Sequence, residues 1–451
     1  MSAAIDKLTG QAKAQDRFDY SAADILPLQI DALNERFAEQ WDRIKLLGLR
    51  AREAGTTEIT AIEDVVPLLL PHTAYKSYPE SYLGEGKWDR LTSWLSTVSA
   101  YPIGSIDWSD IADIDDWIDR LVTMGHYVTC TSGTSGKPAM LIGSAKDIQR
   151  SQIDTVAVFE WGSGVAAKQD RMLIGTGAAA AVPRNIKVGE AQLAAFGNPE
   201  WPRWNDPVPP ITIGSMTRHI LMRKKIAGGR ARPGEIAEFE RVARERQAAM
   251  DAAAGLTAEH LIANREKPLM IAGMWAGLYT IASAVRDRGH GGDEFNPDNC
   301  LYSAGGLKGA VLPPGYKDVV HSTFNIPGGR QFQMYSMQEI NSGMPKCRDT
   351  GRYHVPPWLV PIVLDKGGDN AIPHGYSGEV EGRAGFVDIS VDGRWGGVIT
   401  GDKITISYDP CPSCGNAGPS VEDNVARIKD LEGDDKITCA GTVDAYVRGV
   451  S

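Results

Sequence analysis

The stretch from His126 to Asp147 constrains this chain more than any other. Tyr127, Val128 and Thr129 form an apolar, β-branched run that predicts a strand. The run breaks into Thr131-Ser-Gly-Thr-Ser-Gly-Lys-Pro138, and a second apolar run follows from Met140 to Ile142. Ser144 then offers a helix cap, with Asp147 three residues later. Gly133 and Gly136 free the backbone to turn its N–H groups inward. The hydroxyls of Thr131, Ser132, Thr134 and Ser135 and the ammonium of Lys137 complete a concave nest suited to a polyphosphate. The loop is not of the Walker type. That pattern needs Gly where Thr131 stands and Ser or Thr where Pro138 stands, and here the loop joins strand to strand.

A chain of 451 residues suggests about two or three domains or subdomains. A formal charge of −10 argues against a protein that lives on nucleic acid, which needs a basic face. No stretch approaches the ~20 apolar residues that span a bilayer, and the first residues carry no signal-peptide core. Six cysteines are too few for a disulfide scaffold, so the expected compartment is the cytoplasm, with neither membrane nor nucleic acid as partner.

Residues 1–25 read as a loose polar lead-in, and an amphipathic helix from Pro27 runs out near Gly55. The carboxylates of Asp107, Asp110, Asp113, Asp115 and Asp116 read as a solvated face. Beyond the loop the patterns predict a helix over 147–160, a strand at 172–175 and a loop-rich stretch over 178–215. A helix over 235–253, a second capped by Thr257, a strand at 269–272 and a helix over 275–285 follow. Strands alternating with helices place the chain in the α/β class.

Thr131–Pro138 resembles the phosphate loop of the adenylate-forming superfamily: acyl-CoA synthetases, luciferases and peptide-synthetase adenylation domains. Three later segments resemble that superfamily's motifs in the same order. Cys300-Leu-Tyr-Ser-Ala-Gly-Gly306 is a strand ending in a glycine pair. Ser303, Gly305 and Gly306 would line an adenine there; a plain strand-to-helix turn is the alternative. Phe332-Gln-Met-Tyr-Ser-Met-Gln-Glu339 is similar to a "Tyr-Gly-x-Thr-Glu" element, with Ser336 and Gln338 replacing the Gly and Thr. In it Tyr335 would stack on the base and Glu339 would hold Mg²⁺. Val398-Ile-Thr-Gly-Asp402 is similar to a "Thr-Gly-Asp" motif whose carboxylate holds the ribose.

The resemblance, closest to phenylacetate-CoA ligases and acyl-protein synthetases, implies a large adenylation-domain fold. Its expected parts are a helical lead-in (1–120), an α/β core (121–380) and a β-rich C-terminal subdomain (381–451). It implies attack of a carboxylate on ATP·Mg²⁺ to give acyl-AMP and pyrophosphate. The acyl group then goes to a thiol: CoA, a carrier arm or a partner acyl reductase. Lys137 would hold the departing pyrophosphate, and Lys308 is the candidate on the carboxylate side. Met274 and Trp275 would line the acid pocket, unless they are core. A family member would continue past a hinge near Gly441 into a small mobile domain, whereas this chain reads only to Ser451 and carries Val450 where acyl-protein synthetases have a nucleophilic Cys. A non-catalytic nucleotide-binding subunit with the same fold is the competing expectation.

Cys411-Pro-Ser-Cys414-Gly is a knuckle at zinc-ligand spacing, but a closed zinc site needs four ligands. Cys439, Cys347, His354 and His374 are the candidates to complete a structural Zn²⁺ site; two reduced thiols in a turn are the alternative.

Overall fold

The short apolar runs Met172–Gly175, Leu269–Gly273 and Cys300–Ser303 become the inner strands of a five-stranded parallel sheet, edged by Trp204–Asn205 and Gln331–Phe332. Alternate residues point to opposite faces. Met172, Ile174, Leu269, Ile271 and Leu301 pack on one side against Leu278, Ile281 and Val285 of the helix Trp275–Asp287. Leu173, Met270, Cys300 and Phe332 pack on the other against Phe159 and Phe196. Both faces are covered, which is why these strands carry continuous apolar runs instead of an alternating pattern.

The computed structural model describes residues 3–130, 137–307 and 310–432. The chain forms two compact units, Thr155–Met334 around this parallel sheet, and Met1–Asp154 together with Tyr335–Ser451. In the latter, a seven-stranded sheet centres on Gly397–Ser407. Glu379–Asp388 and Leu359–Leu364 lie antiparallel on one side, Leu70–Pro71 pairs parallel to it, and Ser420–Val421 and Ala426–Arg427 pair antiparallel. No helix among the described residues is long and apolar enough to cross a membrane.

Three readings are corrected. Residues 3–20 are not a loose lead-in: Ala3–Thr9 is a helix that buries Ile5 and Leu8, and the Glu35 carboxylate accepts its first N–H groups at 3.2 Å. The 178–215 stretch contains a helix, Pro183–Phe196, which starts with Pro at its first position and buries Phe196. The two helices expected around Gly255 are one, Pro233–Ala263. Gly255 costs about 1 kcal/mol in a helix interior, but Ala253, Ala258 and Leu261 on the same helix are buried, and that burial outweighs the local break. Thr257 is therefore not a cap. Its buried hydroxyl accepts from the Trp204 indole at 2.8 Å and donates to Asp206.

At the C-terminal ends of the parallel strands Gly273 is held without a side chain by packing. A Cβ there would lie 1.8 Å from the Thr176 hydroxyl oxygen. Gly273→Ala is expected to destabilise by about 1–3 kcal/mol. In the double variant with Thr176→Ala, where the nearest remaining atom is the Thr176 Cβ at 3.2 Å, much of that loss should return. Denaturation midpoints of the four-member cycle check it; additive losses would refute the clash.

Candidate active site

The strands Tyr127–Cys130 and Met140–Gly143 form an antiparallel hairpin, as the strand–loop–strand pattern predicts. Residues 131–136, the predicted phosphate loop, and Lys308 lie outside the described residues. Lys137 follows the loop directly. Its ammonium donates to the Tyr78 carbonyl and lies 5.0 Å from the Tyr78 ring centre, while the Tyr78 hydroxyl donates to the Pro138 carbonyl at 2.7 Å. Tyr78 is itself buried against Trp94. The exit of the loop is thus clamped to a fixed aromatic.

Both strands of the hairpin are tied to the segment carrying Tyr335 and Glu339. On the entering strand the Thr129 hydroxyl donates to Gln338 Oε1 at 2.9 Å. On the leaving strand the buried Arg394 guanidinium bridges, donating to the Ile142 carbonyl at 3.0 Å and to the Gln338 and Glu339 carbonyls at 3.2 and 2.8 Å. Gln338, a departure from the expected motif, has a definite task here. Arg394 was not legible as functional, because nothing in Asp392-Gly-Arg-Trp395 marks it locally.

Asp402 sits on a bulge. Arg383 pairs with Lys403 and Gly385 with Ile399, so the single residue Ala384 faces Thr400, Gly401 and Asp402. An interruption of this kind re-aims a side chain that regular pleating would have fixed. Its freed backbone groups find partners: the Arg383 guanidinium donates to the Thr400 carbonyl, and the Asp402 N–H to the Thr400 hydroxyl, both at 3.0 Å. The Asp402 carboxylate, only 5% exposed, accepts the Tyr335 hydroxyl at 2.8 Å and pairs with Arg427 Nε at 3.0 Å. Arg427 lies on the short strand registered against Asp402. Burial, reinforced by the Asp402 charge, pushes the Tyr335 hydroxyl well above its usual range.

Glu339 is buried. Desolvation raises its carboxyl above the usual range, and the charges of Arg394, Lys76 and Arg427 oppose the rise. Burial also lowers the Lys76 ammonium, against the pull of Glu339. The Glu339 carboxylate is thus buried among three cationic side chains and is no plain surface position. Lys76 and Arg427 carried no sequence signal of their own.

Ser303, Gly305 and Gly306 lie in the parallel-sheet unit. The buried Ser303 hydroxyl accepts from Gln331 Nε2 at 3.1 Å. Gly305 has φ +64°, which favours glycine, and a Cβ on Gly306 would meet nothing within 4 Å among the described residues. The turn lies at the C-terminal edge of the sheet, where open α/β sheets take their ligands. Met274 is half exposed beside it, whereas Trp275 belongs to the core. Cys411 and Cys414 lie between Gly397–Ser407 and Ser420–Val421, next to Cys347 and His354. His374 stacks instead on Tyr408, and Cys439, Gly441 and Val450 lie outside the described residues.

This architecture is shared with solved structures. An open conformation of 2-hydroxyisobutyryl-CoA ligase in complex with 2-HIB-AMP and CoA matches with a TM-score of 0.56 at 14% identity, over 93% of this chain and 74% of that one. The same ligase in the postadenylation state with 2-HIB-AMP matches at 0.56 and 15%, over 92% and 70%. The chain has the fold of that ligase. An amide bond synthetase from Marinactinospora thermotolerans superposes more loosely, with a TM-score of 0.33 at 13% identity over 86% and 72%, and adds no argument. No protein-family model matches the chain, and no curated protein sequence matches it. At such identities the shared fold is what the likeness establishes; the chemistry must come from the site.

Asp154 ends the segment preceding the parallel-sheet unit and accepts the Gly343 N–H at 2.8 Å. Burial lifts its carboxyl to about 6, against the pull of that N–H and of Arg150. Its folded value lies above the ordinary carboxylate range, so its contribution to stability is complete below that range and is lost as pH rises through about 6. Asp154→Asn, neutral in both states, should lose less stability than the parent as pH rises from about 3 to about 7 in urea titrations, a window that brackets both values. Parallel pH profiles would refute it.

Proposed function

We propose that the protein activates a carboxylic acid with ATP. A carboxylate oxygen attacks the α-phosphorus and forms the new P–O bond; the Pα–O–Pβ bond breaks and its electron pair leaves on pyrophosphate. A thiolate then attacks the acyl carbon and AMP departs. The observation that carries this reading is the convergence of hairpin, Tyr335–Glu339 segment and Asp402 within one unit, fastened by Thr129, Gln338, Arg394 and Arg427. 2-Hydroxyisobutyryl-CoA ligase, crystallised with 2-HIB-AMP and CoA, supports it through the shared fold.

In this reading Thr131, Ser132, Thr134, Ser135 and Lys137 hold the leaving pyrophosphate, and stabilising such growing charge is usually the largest catalytic contribution. Glu339 fits a Mg²⁺ ligand: its buried carboxyl, lifted toward the neutral form by desolvation, would be drawn back to the charged form by a divalent ion. The ion would neutralise the phosphates there. By the motif resemblance Tyr335 would meet the adenine and Asp402 the ribose; Ser303, Gly305 and Gly306 are the further candidates for the adenine, and Lys308 is the candidate for the carboxylate. The acid is aryl, arylacetic or fatty, and the acceptor is CoA, a carrier arm or a partner acyl reductase.

The test is acid-dependent pyrophosphate exchange over a panel of such acids, without thiol, with Lys137→Ala as control. Exchange with one acid, lost in Lys137→Ala, is the expected result, and release of ADP in place of AMP would overturn the mechanism. The alternative is nucleotide binding without catalysis on the same fold. Nucleotide binding with no exchange for any acid would move the reading there.

A further inference from the structure

We infer that Cys347, His354, Cys411 and Cys414 are the four ligands of one structural Zn²⁺ ion. The inference is independent of the proposed adenylation chemistry. One ligand atom from each residue lies within 4.8 Å of all the others. The Cys411 and Cys347 sulfurs are 3.9 Å apart, and the Cys414 sulfur is 3.4 Å from His354 Nε2. A tetrahedral zinc with bonds of about 2.3 Å to sulfur and about 2.1 Å to nitrogen has edges of about 3.8 Å between sulfurs and about 3.6 Å from sulfur to nitrogen. The two distances fall beside those values. They are far from the ~2.05 Å of a disulfide, and all four clustered groups are soft or borderline ligands, unsuited to Mg²⁺ or Ca²⁺.

The loops are shaped for the task. Around the knuckle the Gly415 N–H donates to the Cys411 carbonyl and the Cys411 N–H to the Asn416 carbonyl, each at 2.9 Å, with Gly415 at φ +74° closing the turn. Asn416 Nδ2 donates to the Cys414 sulfur at 3.1 Å, an outer contact that stabilises a thiolate. On the other side Cys347 opens a tight turn, its N–H donating to the Arg352 carbonyl at 2.7 Å, and the chain returns as the strand Tyr353–His354. Four protein ligands leave no open position, so the ion would be structural and not catalytic.

What it braces is also visible. Tyr353–His354 pairs with Ser420–Val421 at the edge of the seven-stranded sheet. The same loop seats residues 17–20: Gly418 N–H donates to the Phe18 carbonyl at 2.9 Å, Ala417 N–H to the Asp19 carboxylate at 3.1 Å, and the Phe18 ring lies 5.7 Å from His354. Loss of the ion should therefore free the N-terminal segment as well as the knuckle.

Elemental analysis of the full-length protein, purified without chelator, should find about one zinc per chain. Cys414→Ser, which changes the exposed ligand, should bring this below about a tenth, while Cys300→Ser, a buried cysteine outside the cluster, should leave it unchanged. Co²⁺ added to the chelator-stripped parent should give tetrahedral d–d absorption with thiolate charge-transfer bands, and limited proteolysis should cut near residues 10–20 only after stripping. The cobalt spectrum keeps the test decisive where a variant fails to fold. Zinc absent from the parent even after incubation with the metal, a cobalt spectrum without thiolate bands, or full zinc in Cys414→Ser would each overturn the assignment.

Discussion

Asp402→Asn is expected to lower acid-dependent pyrophosphate exchange by about 10- to 100-fold, chiefly through a higher KM for ATP. A charged acceptor contributes about 1.5–3 kcal/mol to a hydrogen bond, and a ribose contact made equally in the ground and transition states registers in KM before kcat. The substitution preserves shape, and the bulge that presents the side chain rests on Arg383 and Thr400, which it leaves alone. The folding cost should stay small, because the Arg427 side chain is 63% exposed and its ion pair is screened by solvent to roughly 1 kcal/mol or less. Tyr335→Phe separates the alternatives. It removes one of the Asp402 partners and should leave exchange within a few-fold if the carboxylate is what binds nucleotide. If Asp402→Asn and Tyr335→Phe lose activity equally while ATP still binds, the pair is acting as a structural latch and the ribose role fails.

What was legible in the sequence follows the range over which its physics acts. The hairpin strands at 127–130 and 140–143, the inner strands at 172–175, 269–273 and 300–303, and the Ser144–Asp147 cap are written in neighbouring residues, through apolar runs, glycines and short hydroxyl side chains. The glycine pair and Asp402 are candidates by motif order, which is local information repeated along the chain. Failures began where tertiary contacts overrule local preference. The helix through Gly255 is one such place, and the buried Phe18, seated by Gly418, is another. The Cys-x-x-Cys pair announced itself, but its partners Cys347 and His354 lie 64 and 60 residues from Cys411 and Cys414. Only the pairing of Tyr353–His354 with Ser420–Val421 selects them over His374. Arg394, Lys76 and Arg427 belong to the same class: each matters through what the fold sets beside Glu339, not through its own neighbours in sequence.

Asp147 is the extreme instance, and its removal should produce a large loss of stability, about 3–5 kcal/mol for Asp147→Ala, from several buried donors at about 1–3 kcal/mol each. As the third residue of the helix Ala145–Ser163 it closes a capping box, accepting the Ser144 N–H at 2.7 Å while its own N–H donates to the Ser144 hydroxyl at 3.3 Å. A cap alone is worth about 1 kcal/mol. This carboxylate, 3% exposed, also accepts Asn341 Nδ2 at 2.7 Å and the N–H groups of Asp392 and Gly393 at 2.8 Å. Truncation leaves the buried N–H groups of Ser144, Asp392 and Gly393 without this acceptor and Asn341 Nδ2 with the Ser390 carbonyl at 3.5 Å, each lost bond costing about 1–3 kcal/mol less whatever relaxation recovers. Relaxation has little room, since a Cβ on Gly393 would already sit 2.5 Å from the Ser144 nitrogen. The amide variant discriminates between causes. Asp147→Asn keeps the volume and a capping oxygen but turns an NH₂ toward donors, so it should be nearly as damaging as alanine, whereas Ser144→Ala should cost only about 1 kcal/mol. Urea midpoints of the three variants decide it: a mild Asp147→Asn would mean that the residue serves as a helix cap and the ties to Asp392 and Gly393 carry little energy.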